Sequence, residues 1–378
     1  MAKRVFIPLS ILLAMVGLYS CQQKDDPALT TSYLDLPQTP YQYNSGAPND
    51  NIPTLGRVLF YDSRLSANST ISCSSCHKQA SAFSDNRRFS LGFLGQQTAR
   101  NSMPIQNLRA RNFPNAPILD SSFVSDANLP LFWDGRETLI AAQVLMPITN
   151  HIEMGMTIDD VVSKLSSFSE YSSLFADAYG DSQVTEGRIA IALSRFISSI
   201  NTSQSKFDLS RQGKAELSAQ EANGFSLFLN KYNCNSCHRV LPGQGIQFIG
   251  DSIGSGYVPD QAFLDIGLDA SPNDIGRADV THAPSDIGRF KIPTLRNVAL
   301  TAPYMHDGRF ATLNEVIDHY SSGIANSPNL DIILTKNNVP NQMMISETEK
   351  QSIIAFLNTL TDYQMITDPK FSSPFKSK

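Results

Sequence analysis

Apolar residues along this chain fall mostly at helical spacing. Ile189, Leu193, Phe196, Ile197 and Ile200 recur at steps of three and four and mark one helix face. Leu313, Val316, Ile317 and Tyr320 stand at i, i+3, i+4 and i+7 and mark another. Capping boxes open at Ser218 with Glu221, at Thr312 with Glu315 and at Ser346 with Glu349, each before an apolar-periodic run. Glu137 to Leu145 also reads as helix. Alternating strand patterns are scarce. Loops rich in Gly, Pro and Asn cover 86–130 and 242–303, too long to be idle in a compact domain. The pattern predicts an all-α class, mostly helical with long loops.

The N-terminal apolar run is of another kind. Lys3 and Arg4 precede an apolar stretch from Val5 to Leu18, whose fourteen residues fall short of a membrane span; a span needs about 20. A positive start and a short apolar run read as a secretory signal. The run ends Leu18-Tyr19-Ser20-Cys21, which resembles a bacterial lipobox with Cys21 as the lipidated first residue. The alternative is an ordinary signal peptide with Cys21 removed or idle. Residues 1–20 are therefore expected as signal, and 21–52, rich in Asp, Pro, Ser, Asn and Gln, as a tether. Any contact with a membrane would run through the lipid on Cys21.

Composition narrows the partners. At 378 residues the chain has room for two or three domains. Hydrophobic residues at 41% and charged residues at 17% are ordinary for a globular protein and exclude a collagen-like or disordered chain. The formal net charge of −5 becomes −7 once Lys3 and Arg4 leave with the signal. No basic cluster stands out, so nucleic acid is excluded as a partner. A small cationic protein suits the surface better.

Cysteine usage carries the chemistry. Apart from Cys21, the cysteines form two pairs, Cys73-Ser-Ser-Cys76-His77 and Cys234-Asn-Ser-Cys237-His238. C-x-x-C-H is the attachment signature of a c-type haem. Two thioether links fix the macrocycle to one turn, and the adjacent imidazole lies under the iron as proximal ligand. A single zinc held by four sulfurs would leave both histidines as coincidence. Two disulfides, or a thioredoxin-like motif without a βαβ context, are the other readings. Each motif follows a similar phrase, Gly56-Arg-Val-Leu59-Phe60 and Gly224-Phe-Ser-Leu227-Phe228, which suggests a duplication with one haem per half.

These residues resemble the bacterial di-haem cytochrome c peroxidase family, which includes MauG. The resemblance runs from about Pro53 to about Thr361. It is carried by Leu55-Gly-Arg-Val-Leu-Phe-Tyr-Asp-Ser-Arg-Leu65, both CxxCH motifs, Phe132-Trp-Asp-Gly-Arg136, Pro147-Ile-Thr-Asn-His-Ile-Glu153-Met154-Gly155, and Ile292-Pro-Thr-Leu-Arg-Asn297 leading to Pro303-Tyr-Met-His-Asp-Gly308. It implies two cytochrome c-like haem domains, 53–205 peroxidatic and 206–366 electron-transferring, with the haems facing a shared interface and a tail at 367–378. It also implies reduction of hydrogen peroxide to water with electrons from a small periplasmic cytochrome or cupredoxin. The corresponding location is the periplasm or cell envelope of a Gram-negative bacterium. Homodimerisation is left open.

By the same resemblance, the haem on Cys73, Cys76 and His77 is the reactive one, with Glu153 and Gln143 as its proton-shuttling pair. Better-known members often carry a capping histidine between the first motif and the Trp phrase. None lies between His77 and His151 here, so an open first haem is expected; His151 is the one candidate late ligand, and its place two residues before Glu153 reads rather as the pocket edge. The second haem takes Cys234, Cys237 and His238. Its far-side ligand in the family lies fourteen residues beyond the histidine of His-Asp-Gly, which from His306 reaches Tyr320. The peroxidase branch has methionine there and MauG has tyrosine. Helical geometry agrees that Tyr320 shares the apolar face, and it turns His319 about 100° away, toward the polar side. Met305, Met343 and Met344 are the alternatives.

Trp133 matches the family's tryptophan between the haems. Asn107, Thr301 and Pro303 match positions that hold calcium. Asp134, Arg136, His306 and Asp307 are expected to hold haem propionates and loops. The first functional reading is therefore a peroxidase. The second is a MauG-like enzyme that turns peroxide-derived oxidising equivalents on another protein. The third is a dihaem cytochrome that only carries electrons, which the Gln143/Glu153 pair argues against.

Overall fold

The computed structural model describes residues 34–108, 130–238 and 262–376. The expected signal, Cys21 and the start of the tether lie outside them, as do parts of both long loops.

Helices dominate the described residues. They are α1 (Asn51–Tyr61), α2 (Cys73–Cys76), α3 (Ile140–Gln143), α4 (Met146–Thr149), α5 (Ile158–Ser166), α6 (Ser169–Tyr179), α7 (Glu186–Ser199), α8 (Lys206–Arg211), α9 (Ala219–Ser226), α10 (Ala278–Thr281), α11 (Leu313–Asp318) and α12 (Glu347–Asn358). π-helical turns extend α9 over Leu227–Lys231 and α11 over His319–Gly323. Sheet is confined to two antiparallel pairs, β1 (Phe263–Leu264) with β2 (Phe290–Lys291), and β3 (Thr335–Lys336) with β4 (Val339–Pro340). The second pair turns through Asn337 and Asn338, both at positive φ, the conformation that a tight two-residue hairpin requires. No helix among the described residues is long and apolar enough to cross a membrane.

The three capping boxes read from the sequence form at the starts of α9, α11 and α12. The helix expected from Glu137 to Leu145 is shorter. Glu137 gives its carboxylate to the backbone N–H groups of Thr138 and Leu139, and its carbonyl accepts from Leu131. Those bonds hold 137–139 extended, so α3 starts only at Ile140.

Two separate apolar clusters form. In the first, α1 packs on α7, and Phe60, Phe83, Phe196 and Phe371 meet at tilted or edge-on angles. In the second, α9 packs on α12 around Phe207, Phe228 and Phe356. Burial of each such ring stabilises by about 1.5–3 kcal/mol. The repeated phrases do the same job in both. A Cβ on Gly56 would sit 1.9 Å from the Ala192 carbonyl oxygen, and one on Gly224 would sit 1.8 Å from that of Ser352. Each glycine lets two helix backbones touch, with Phe196 and Phe356 beside the contact.

The segments expected as tether and tail are corrected by the structure. Tyr43 is 1% exposed inside the first cluster, and Leu34, Leu36 and Tyr41 pack on it. From the other end of the chain, Met365 and Phe371 enter the same cluster. Arg57 Nε donates to Ser372 O, Tyr61 to Phe371 O, and Asp35 N to Pro374 O. The C-terminal residues thus form a strap across the first cluster. Polarity hid this, because the two strands of chain satisfy each other's backbone groups.

Candidate functional site

Each CxxCH motif sits on one short turn. Ser72 and Ser75 form a reciprocal capping box that opens α2, with His77 at its C-terminal end. His77 Nδ1 lies 2.9 Å from the Phe83 carbonyl oxygen. That bond places the proton on Nδ1 and leaves Nε2 with its lone pair. In the second motif Asn233, at φ 52°, precedes the turn Cys234–Ser236, and His238 Nδ1 lies 3.2 Å from Pro293 O. Burial favours the neutral form of both imidazoles, taking His238 down to about 4.

The other cysteine chemistries fit poorly. All four motif thiols are free, and the two pairs line different cavities, so they cannot share a zinc. Among the described residues no group of three or more His, Cys, Asp or Glu could hold a metal ion. Burial raises the thiols, Cys73 and Cys234 to about 12 and Cys76 to about 11. Thiols kept protonated are poor metal ligands and poor redox nucleophiles. Two such thiols on one turn, beside an imidazole with a free nitrogen, fit covalent attachment of a haem.

The first cavity, about 60 Å³, is lined by Cys73, Cys76, His77, Gln143 and Glu153, among mostly apolar walls. Gln143 comes from the last residue of α3. Glu153 sits on a turn shaped by Asn150, whose Oδ1 accepts from Ile152 N and whose Nδ2 donates to Glu153 Oε1 at 3.0 Å. Phe93 N donates to Glu153 O, and Gly92 approaches too closely for any side chain. Burial raises the proton affinity of the Glu153 carboxyl, offset in part by the charge of Arg136. His151, expected at the pocket edge, is exposed and does not line this cavity.

The second cavity is far larger, about 860 Å³, within the range of cofactor sites. Cys234, Cys237, His238 and Tyr320 all line it, with Trp133, His306 and Asp307. Arg88, Lys291 and Arg309 bring cationic groups to its wall, as the carboxylates of a haem require. The Tyr320 hydroxyl has no hydrogen-bond partner among the described residues; its ring meets that of His319 edge-on. Burial pushes its phenol well above the usual range. Met305 and Met343 line the same cavity, whereas Met344 is 74% exposed. His319 corrects the sequence reading: it is buried at 5% exposure and bonds Ile266 O at 3.0 Å. It still does not line the cavity.

Trp133 lies between the two motifs in bonding terms. It lines the second cavity, and its indole N–H donates at 2.9 Å to the carbonyl of Asn101, on the loop beside the first motif. Asp134 and Arg136 line neither cavity; they join Arg100, Asp274 and Asp279 in an ion network. His306 stacks on Phe290 at 3.7 Å and 9°. Of the calcium candidates, Thr301 and Pro303 line the second cavity and Asn107 does not; its amide is exchanged with the Thr202 backbone. The sequence reading missed Asn150, although it stands inside the quoted phrase three residues before Glu153. It also missed Arg100 and Asp274, which pair across 174 positions.

Comparisons with known proteins agree with this geometry. A family model described as "Di-haem cytochrome c peroxidase" matches residues 51–216. The chain is 32% identical over 353 residues to the methylamine utilization protein MauG of Methylorubrum extorquens, covering 92% of this chain and 88% of that one. It is 34% identical over 328 residues to the cytochrome c551 peroxidase of Nitrosomonas europaea, covering 86% and 83%. Among solved structures, a MauG-like protein associated with microbial copper homeostasis superposes with a TM-score of 0.72 at 32% identity, covering 90% of this chain and 97% of that one.

Proposed function

The chain belongs to the di-haem cytochrome c peroxidase family, and from that premise we propose that it is an oxidoreductase that reduces hydrogen peroxide to water. Family membership implies two c-type haems. Cys73, Cys76 and His77 would hold the first, and Cys234, Cys237, His238 and Tyr320 the second. Held by these residues, the haems would supply peroxide chemistry at the first motif and electron storage at the second. The overall reaction consumes peroxide, two electrons and two protons and yields two waters. The electrons would come from a small electron-transfer protein, consistent with the acidic net charge of −5.

The carrying observation is Glu153, a carboxyl of raised proton affinity on the wall of the first motif's cavity. A carboxylate whose proton affinity is raised by burial is a stronger base, and it can take a proton from the incoming peroxide and return it to the departing oxygen. Asn150 fixes one carboxyl oxygen, leaving the other to exchange the proton. Gln143 lies on the same wall and can orient peroxide by its amide. Among the described residues no histidine besides His77 lines this cavity, which supports an open first site. Trp133 would pass electrons between the motifs, a role supported by its place on the second cavity and its indole bond to the Asn101 carbonyl.

The second reading, a MauG-like enzyme acting on another protein, is favoured by Tyr320, whose unpartnered hydroxyl shares a cavity with His238. Mixing the ferric haem-loaded protein with peroxide tests the enzymatic reading. Rapid spectral change is expected, and a ferric spectrum that ignores peroxide would reduce the protein to an electron carrier. Turnover with a reduced small cytochrome then favours peroxidase over protein oxidation. Tyr320→Phe should change the spectrum of the second haem alone; an unchanged spectrum removes Tyr320 as its ligand.

A further inference from the structure

We propose that Ser102 is a positioning residue of the first iron site, setting the electronic character of the His77 imidazole and joining it to Trp133. The proposal rests on the preceding assignment of His77 as an iron ligand.

Ser102 comes from the loop after Arg100, 25 residues from His77. Its hydroxyl donates to the Cys76 carbonyl at 2.9 Å, which commits its hydrogen to the motif itself. Its oxygen lone pairs then face His77 Nδ1, 3.4 Å away. The His77 N–H therefore meets two acceptors, Phe83 O at 2.9 Å and Ser102 Oγ. The second motif differs. Among the described residues His238 meets one acceptor, Pro293 O at 3.2 Å. Acceptors on one ring nitrogen raise the basicity of the other. A more basic imidazole stabilises ferric over ferrous iron, so the first site is poised toward the oxidised state by its hydrogen bonds.

The same residue closes a continuous route between the histidines. On one side, the Trp133 indole donates to Asn101 O, and the next residue is Ser102. On the other, Trp133 O accepts from Lys291 N at 2.8 Å, and two residues on, Pro293 O meets His238. Every other link besides the Trp133 indole and the histidines is backbone. Ser102 Oγ is thus a side-chain link that a substitution can remove while leaving both histidines and Trp133 in place.

Ser102→Ala and Ser102→Thr in the haem-loaded protein test this, with haem content counted first. Dithionite supplies the electrons, each taking one iron from ferric to ferrous, and the two haems are titrated separately. In Ser102→Ala an electron shared between the haems should move toward the first by roughly five-fold, the scale of one weak hydrogen bond. The iron–histidine stretching vibration of the reduced first haem should fall, and the second haem should titrate unchanged. Ser102→Thr, which keeps the hydroxyl, should restore both. Two haems with an unmoved first titration and vibration in Ser102→Ala would overturn the role of Ser102. A shift that threonine fails to rescue would overturn it too. A wild-type protein without two haems would instead fail the cofactor assignment.

Discussion

Around Cys73–His77 the described walls carry one carboxyl, Glu153, and no arginine or lysine, whereas around Cys234–His238 they carry a phenol, Tyr320, and cationic side chains beside several carboxylates. The glycine-mediated helix crossing is nearly the same in the two halves, while the attachment turn is α-helical at Cys73–Cys76 and 3-10 at Cys234–Ser236. What differs arrives from elsewhere in the chain, on α3, on the turn before Met154, and on the π-helical end of α11. On the proposed assignment, the shared helix crossing carries each attachment turn, and the added segments would set the chemistry around it. Glu153→Gln should break the contrast most strongly. It removes the exchangeable proton and keeps the shape, so peroxide turnover should fall by about 10²–10⁴, with the second haem's titration unchanged. The pH profile sharpens the test. The proton-accepting form of Glu153 grows as pH rises through its raised pKa, so the peroxide step should slow on acidification at a pH above the ordinary carboxylate range. In Glu153→Gln that limb should vanish. Stopped-flow rates equal to wild type would remove Glu153 from the chemistry.

How much of this could be read in advance follows the range of the interactions. The CxxCH turns, the capping boxes and the face bearing Tyr320 are local patterns, and the structure contains them. His319 was misplaced because a helix's polar side was equated with solvent, while the Ile266 carbonyl, 53 residues away, was waiting to accept its ring. The strap was invisible for the same reason. Arg57 and Ser372 lie 315 positions apart, and nothing in a Pro- and Ser-rich tail announces a partner. Glu137 looked like a helix residue until its side chain capped its own neighbours.

The strap offers the next test, because it makes the first half depend on residues beyond the second. Phe371 is 2% exposed and touches Phe83 and Phe196. Phe371→Ala should cost about 3–5 kcal/mol, the usual price of deleting a buried ring. The loss should appear in urea unfolding followed at the first haem, with the second haem's transition little changed. Equal loss in both transitions would mean that the halves unfold as one unit.

The smallest expected effect probes the duplication itself. Gly56→Ala puts a methyl 1.9 Å from Ala192 O and 2.9 Å from Phe196 Cβ, and Gly224→Ala puts one 1.8 Å from Ser352 O and 3.0 Å from Phe356 Cβ. Both obstacles are backbone of a packed helix, so neither can swing aside. Alanine gains up to about 1 kcal/mol of helix propensity over glycine. Overpacking of this kind costs about 1–3 kcal/mol and occasionally more. The net loss should be about 1–2 kcal/mol at either site, read as a lowered midpoint in urea with an unchanged slope. Because the two crossings share one geometry, the two variants should match within their error. If Gly224→Ala were tolerated and Gly56→Ala were not, α12 must be free to slide where α7 is not. The strap would supply a reason for that outcome only if Phe371 on Phe196 of α7 clamps more firmly than Phe207 of α8 on Phe356 of α12. Combining each glycine variant with Phe371→Ala separates the two accounts: coupling only at Gly56 assigns the rigidity to the strap, and additivity at both assigns it to the crossing alone.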